Sequence, residues 1–215
     1  IPGTMLYVGN GQLFQYLLMV AVSFVLGFAL TYMFGYEDEK EVASEVATER
    51  LVQEETTGNI PVAPQNETIQ TPIVGDVVAL ENVNDPVFSS GAMGQGIAVK
   101  PSQGVVYAPA DAEVSIAFAT GHAYGLKTAN GAEILIHVGI DTVTMNGEGF
   151  EQKVAQGDKV KAGDVLGTFD SSKIAAAGLD DTTMVIVTNT ADYASVTPVA
   201  SGSVVKGDAI IEVKA

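Results

Sequence analysis

The feature that most limits what this chain can fold into is a recurrence of short apolar runs between turn signals. "GDVVAL", "GIAVK", "GVVYAPADAEVSIAF", "AYGLKTANGAEILIHV", "GDKVKAGDVLGTF", "TTMVIVTN" and "GSVVKGDAIIEV" follow one another from Thr71 to Ala215. The runs are rich in Val, Ile and Thr, and Gly, Asp or Asn stand at their ends or divide the longer ones into strand lengths. Strands at this spacing specify an all-β fold, an antiparallel sandwich or barrel. The region has an ordinary single-domain length. "KIAAAGL" is its one helix-like piece, no longer than a turn or so.

Two different segments precede it. Residues Ile1 to Tyr36 hold no charged side chain, and "LFQYLLMVAVSFVLGFALTYMF" has the length of a membrane-spanning helix. Tyr16, Tyr32 and Tyr36 stand near its ends, where interfacial aromatics sit. No basic n-region precedes the run and it is too long for a signal peptide. No Lys or Arg precedes Lys40, so no basic flank marks the N-terminal side of the span. Glu37 to Gln70 is polar and acidic and is expected to be a flexible linker, with a solvated helix over Glu37–Glu55. Its "NET" at Asn66 is a weak match to a glycosylation acceptor. The chain starts at Ile1 rather than Met and is expected to be the tail of a longer protein.

The net charge is −16, which opposes nucleic acid and anionic lipid as partners and favours a basic one. Cysteine is absent, which removes disulfides, thiolate catalysis and thiolate zinc sites.

The chain holds only two histidines, His122 in "FATGHAYGL" and His137 in "GAEILIHVGIDT". The Asn130–Gly131 pair between two strand-like runs signals a hairpin with a two-residue type I′ turn. Ala129 then faces Ala132, and His137 falls opposite Tyr124. His122 points to the same face as Tyr124, so the imidazoles become diagonal neighbours, with Leu135 beside them. Ile134, Ile136 and Val138 point to the core. A register shift of one residue would separate the histidines. Three readings fit such a pair. The rings are satisfied core groups; or they hold zinc with a carboxylate such as Asp141; or a neutral imidazole attacks phosphorus while its neighbour steadies the phosphoryl oxygens.

The segment "TGHAYGLKTANGAEILIHVGIDTVTMNGEGF" resembles the phosphohistidine region of the enzyme IIA domain of the glucose superfamily in the bacterial phosphotransferase system. The resemblance covers Thr71 to Ala215 and includes "TPIVGDVVAL", "VNDPVFSSGAMGQGIAVKP" and "KVAQGDKVKAGDVLGTFD". The apolar run followed by "YMFGYEDEKE" is similar to the last helix of a membrane-embedded IIC domain, as in β-glucoside permeases with a C-terminal IIA domain.

The resemblance implies a phosphoryl carrier with no cofactor and no resident metal. His137 would be phosphorylated on Nε2, His122 would contact the phosphoryl group, and Thr120 would support His122. The Gly139 carbonyl would hold the Nδ1–H of His137. Phosphate would come from the carrier HPr and pass to a IIB-domain cysteine by in-line displacement. Phe88, Met93, Phe118, Leu135 and Val143 would form an exposed apolar docking face. Asp85 and Asp141 would meet basic side chains of the partner, mainly raising the association rate. The domain would lie on the cytoplasmic side of the bacterial inner membrane.

The IIB cysteine must lie elsewhere, since this chain has none. Ala112 stands where the family often has glycine. The hairpin "GDKVKAGDVLGTFD" also resembles biotinyl and lipoyl carrier domains, but no Met-Lys-Met or Asp-Lys-Ala turn is present. A purely regulatory, membrane-tethered β-domain is the remaining alternative.

Overall fold

Alternation of buried and exposed side chains builds the molecule. The computed structural model describes residues 63–215. The apolar run of Ile1–Tyr36 and the helix expected over Glu37–Glu55 lie outside them. Among the described residues no helix is long and apolar enough to cross a membrane.

The fold is all-β and antiparallel, as the run spacing specifies. Eight strands form the large sheet: β2 (Gly75–Val78), β3 (Gln95–Pro101), β5 (Ala112–Ala117), β6 (Ala123–Thr128), β7 (Glu133–Val138), β9 (Lys159–Val160), β11 (Thr183–Val187) and β13 (Ser203–Val204). Their order across it is β13-β2-β3-β11-β7-β6-β5-β9. Two three-stranded sheets accompany it. One is β1 (Glu67–Gln70), β14 (Ala209–Lys214) and β12 (Ser195–Pro198). The other is β4 (Val105–Tyr107), β10 (Val165–Phe169) and β8 (Phe150–Gln152).

β11, "TMVIV", is buried along its whole length because both faces of the large sheet are covered at its centre. Val185 and Val187 join the main core with Ile97, Val99, Tyr124, Ile134, Ile136 and Val138. Met184 and Ile186 point the other way, into a smaller cluster with Leu80, Val83, Phe88 and Ala98. Burying each such aliphatic side chain contributes roughly 1.5–3 kcal/mol. The second cluster therefore ties the segment from Leu80 to Phe88 firmly to the sheet.

Three expectations need correction. The stretch expected as linker does not extend to Gln70: Glu67–Gln70 is strand β1, with fully buried Ile69 opposite Ile211 of β14. Asn66 belongs to the same seam, since its amide oxygen accepts from the Ala215 N–H at 2.8 Å. The β6–β7 turn is the second. Lys127 pairs with Glu133, and the Thr128 N–H donates to the Ala132 carbonyl at 2.9 Å, leaving a three-residue loop, Ala129 to Gly131. Only Gly131 takes a left-handed conformation, at φ +97°. The Thr128 hydroxyl decides this geometry: it donates to the Glu67 carboxylate at 2.7 Å and accepts from the Ala132 N–H at 2.9 Å. His137 therefore pairs with Ala123, while Tyr124 pairs with Ile136 and is buried in the main core. The third is helical content. Besides a short helix over Ser171–Ala176, which overlaps the start of "KIAAAGL", a one-turn helix runs over Pro86–Ser89; in chain order they are α2 and α1. Asp85 caps α1 and Pro86 opens it, a start signal present in the sequence.

Candidate functional site

The one-residue change of register leaves the histidines together. β6 begins at Ala123, so His122 stands outside the strand, just after Gly121 at φ +69°. Its side chain is released from the strict alternation that sends Tyr124 to the core. The His122 carbonyl still accepts from the Val138 N–H at 2.7 Å, which anchors it beside the end of β7. The two imidazole rings lie 5.1 Å apart between centroids, edge to face at 76°. Small Ala123 directly across from His137 leaves room for the second ring.

Each imidazole has an aromatic neighbour. Phe88 lies 5.2 Å from His137 and Phe118 lies 5.4 Å from His122, both tilted. On the other flank His137 is paired with Met184 of β11. Rigid sheet and aromatic faces thus surround both rings.

The ring nitrogens are distinguished by their partners. His137 Nδ1 is 2.8 Å from the Gly139 carbonyl. A carbonyl only accepts, so Nδ1 carries the proton, and in the neutral ring Nε2 holds the lone pair. Gly139 has φ +79°, and a Cβ there would collide with the Thr142 side chain and the Asp180 carbonyl. Glycine is therefore required at this position. His122 Nδ1 lies 2.5 Å from the Thr120 hydroxyl.

Burial is the main influence on both rings. It pushes His137 below the ordinary imidazole value, opposed by the Gly139 carbonyl and by the charges of Asp85 and Asp141. His122, only 5% exposed, is pushed down to about 4 by burial and then by His137. Both rings are neutral at pH 7. A stability consequence follows. Below pH ~6.5 the unfolded chain takes up a proton at residue 122 that the folded chain refuses until about pH 4. Stability is therefore lost as pH falls through that window, by up to about 3 kcal/mol. Urea unfolding of wild type and His122→Gln across pH 7 to 4 should show a flatter profile for the variant. Parallel profiles would remove His122 as the cause.

The other expected site residues divide. Met93, Phe118, Leu135 and Val143 are partly exposed, and Asp141 is exposed. Phe88, expected on the surface, is not there: it is 8% exposed, packed in the second cluster. The cause is the Asp85 cap. Its carboxylate accepts from the Val87 and Phe88 N–H groups at 2.7 and 3.2 Å, starting a helical turn that aims Phe88 inward. The same turn points Val87 outward, 53% exposed, an apolar side chain that sequence reasoning passed over. The Asp-Pro start and helical spacing were the available signal. Asp141 adopts the left-handed conformation at φ 57° and leads the 3-10 turn Thr142–Met145. Among the described residues no group of three or more potential metal-ligating side chains is assembled. Asp141 bears on His137 through its charge.

The site thus holds a histidine with Nδ1 bound to a backbone carbonyl, on a sheet beside a second imidazole, an arrangement compatible with a nucleophilic Nε2. The chain belongs to the phosphoenolpyruvate-dependent sugar phosphotransferase system EIIA 1 family, whose model matches residues 67–193. It carries an EIIA domain, a phosphoryl-carrying phosphotransferase component of that system. The match begins at Glu67, where β1 begins. The chain is 46% identical to a β-glucoside-specific EIIBCA component of Dickeya chrysanthemi, over 85% of this chain and 29% of that protein. It is 45% identical to a glucose-specific EIIA component of Bacillus cereus, over 66% of this chain and 86% of that one. The solved glucose permease IIA from Mycoplasma capricolum superposes with a TM-score of 0.63 at 34% identity, over 69% of this chain and 96% of that one. The chain spans less than a third of the β-glucoside relatives it matches.

Proposed function

We propose that His137 is the phosphoryl acceptor of a β-glucoside-type sugar permease, loaded by the carrier HPr and unloaded onto a IIB cysteine outside this chain. The single observation that carries this reading is the Nδ1 bond to Gly139, which leaves Nε2 as the lone-pair nitrogen of a neutral ring beside His122. In the first step the Nε2 lone pair forms a bond to phosphorus. The donor's P–N bond breaks and its electron pair returns to the donor imidazole. In the second step a thiolate forms the S–P bond and the electron pair returns to Nε2. Neither step needs a redox partner.

His122 is the hydrogen-bond partner of the phosphoryl group. With the Thr120 hydroxyl donating to Nδ1, the neutral ring carries its proton on Nε2 and donates to a phosphoryl oxygen. Positioning and charge stabilisation supply most of the catalysis in such transfers. Val87, Met93, Phe118, Leu135 and Val143 form the apolar docking face, with Asp85 and Asp141 as its acidic rim. Phe88 lies beneath this face.

The organisation upstream is supported by the relatives. The matches to two β-glucoside-specific EIIBCA components cover 85% and 90% of this chain, more than the described residues make up. On this ground we propose that Ile1–Tyr36 belongs to the end of a IIC domain and that the acidic stretch after it joins IIC to IIA. The IIA domain then lies on the cytoplasmic side of the bacterial membrane.

Incubation of the chain with phosphoenolpyruvate, enzyme I and HPr tests the reading. The expected product carries one phosphoryl group per chain, acid-labile and base-stable, as phosphohistidine is. An acid-stable label, or none, would overturn it.

A further inference from the structure

The bond that sets the His137 tautomer depends on one backbone peptide, and that peptide is held from the far side. The Gly139–Ile140 unit is planar, so fixing its N–H fixes its carbonyl. Its carbonyl accepts from His137 Nδ1 at 2.8 Å, and its N–H, on Ile140, donates to the Asp180 carbonyl at 2.8 Å. Thr142 closes the turn from above. It is 0% exposed, its hydroxyl donates to the Val138 carbonyl at 2.5 Å, and its methyl fills the space over Gly139.

We propose that Thr142 and the Asp180 backbone carbonyl form a brace that fixes the Gly139–Ile140 peptide and so holds His137 in its Nδ1–H tautomer. Both are positioning groups, since neither touches the reacting nitrogen. The inference rests on the reading of His137 as the phosphoryl acceptor.

Asp180 is itself held in place. Its carboxylate accepts from the Thr182 N–H and hydroxyl at 2.7 and 2.6 Å. Lys100 bridges it at 2.8 Å and Asp181 at 2.6 Å. The Lys100–Asp180 pair is about half exposed on both sides, and such pairs contribute little. The buried hydroxyls of Thr142 and Thr182 are therefore the parts of the brace that matter. Without them the peptide can rotate and the imidazole can exchange its tautomer, which puts a proton on the nitrogen that must attack.

The test uses the full chain in detergent with 15N-labelled histidine, whose spectrum contains only two imidazoles because the chain has two histidines. Wild type and Thr142→Ser, which keeps the hydroxyl, are expected to show His137 as the Nδ1–H tautomer alone. Thr142→Val keeps the shape, loses the hydroxyl, and is expected to show a mixture of tautomers. Its phosphorylation rate at saturating HPr should fall roughly tenfold with the KM for HPr unchanged, as for a small misplacement of a reacting group. A single Nδ1–H tautomer in Thr142→Val, or a rate equal to wild type, would overturn the brace. Should Thr142→Val fail to fold, Thr182→Val loosens Asp180 instead and must give the same mixture. The tautomer is read with no phosphoryl donor present, so a failure of the carrier reading and a failure of the brace are separate results.

Discussion

His137→Ala is expected to remove phosphorylation by phosphoenolpyruvate, enzyme I and HPr entirely, while leaving the β-domain folded. The loss should be complete because His122 cannot take over. His122 is nearly inaccessible, its Nδ1 is engaged by Thr120, and its neutral ring offers a proton rather than a lone pair when Thr120 donates. The fold should survive because His137 is partly exposed and its removal strips no charge from a buried pair. The buried Gly139 carbonyl loses its donor, a cost of about 1–3 kcal/mol, which a domain's usual stability of about 5–15 kcal/mol can absorb. Label incorporation and a thermal melt on the same preparation decide the matter. Undiminished label on a folded variant would place the acceptor elsewhere. If label and fold are lost together, His137→Gln, which retains bulk and one amide donor, replaces it in the same assay and must stay unlabelled while folded.

The sequence revealed the fold class because strand alternation is written in every run. "TMVIV" and "EILIHV" together are enough to define a central strand buried on both faces and a neighbour with one functional face. That His137 faces away from the core beside Leu135 was legible, but the reason His122 joins it was not: the two rings meet because His122 lies outside β6, not because the hairpin register makes them diagonal neighbours. The details that failed share one physical cause: a side chain distant in sequence overrode a local signal. Asn130–Gly131 promises a two-residue turn, yet Thr128 answers to Glu67 on β1, and the loop takes a third residue. Glu67–Gln70 reads as linker because strand β1 has meaning only against β14 at the far end of the chain. Thr142 and Asp180 gave no sign at all, because their roles consist of one backbone carbonyl and one buried hydroxyl.

Phe88→Ser is expected to destabilise the domain severely rather than merely weaken docking. The ring fills the second cluster between Leu80, Val83, Ala98, Met184 and Ile186, and one face lies against His137. Truncating a buried phenylalanine costs about 3–5 kcal/mol, and the serine hydroxyl gains no obvious partner there. For a domain of this size that corresponds to a fall of roughly 10 °C in Tm. Two further effects distinguish this from a docking defect. His137 loses the aromatic wall that limits its rotation, so phosphorylation should slow even at saturating HPr. Val87→Ser, one residue away on the exposed side of α1, should behave in the opposite way, with an unchanged Tm and a raised KM for HPr. The pair of variants thus separates support from contact within a single helical turn. An unchanged Tm in Phe88→Ser, with weakened HPr binding and a normal maximal rate, would return Phe88 to the docking surface and show that the Asp85 cap does not hold its ring inward in solution.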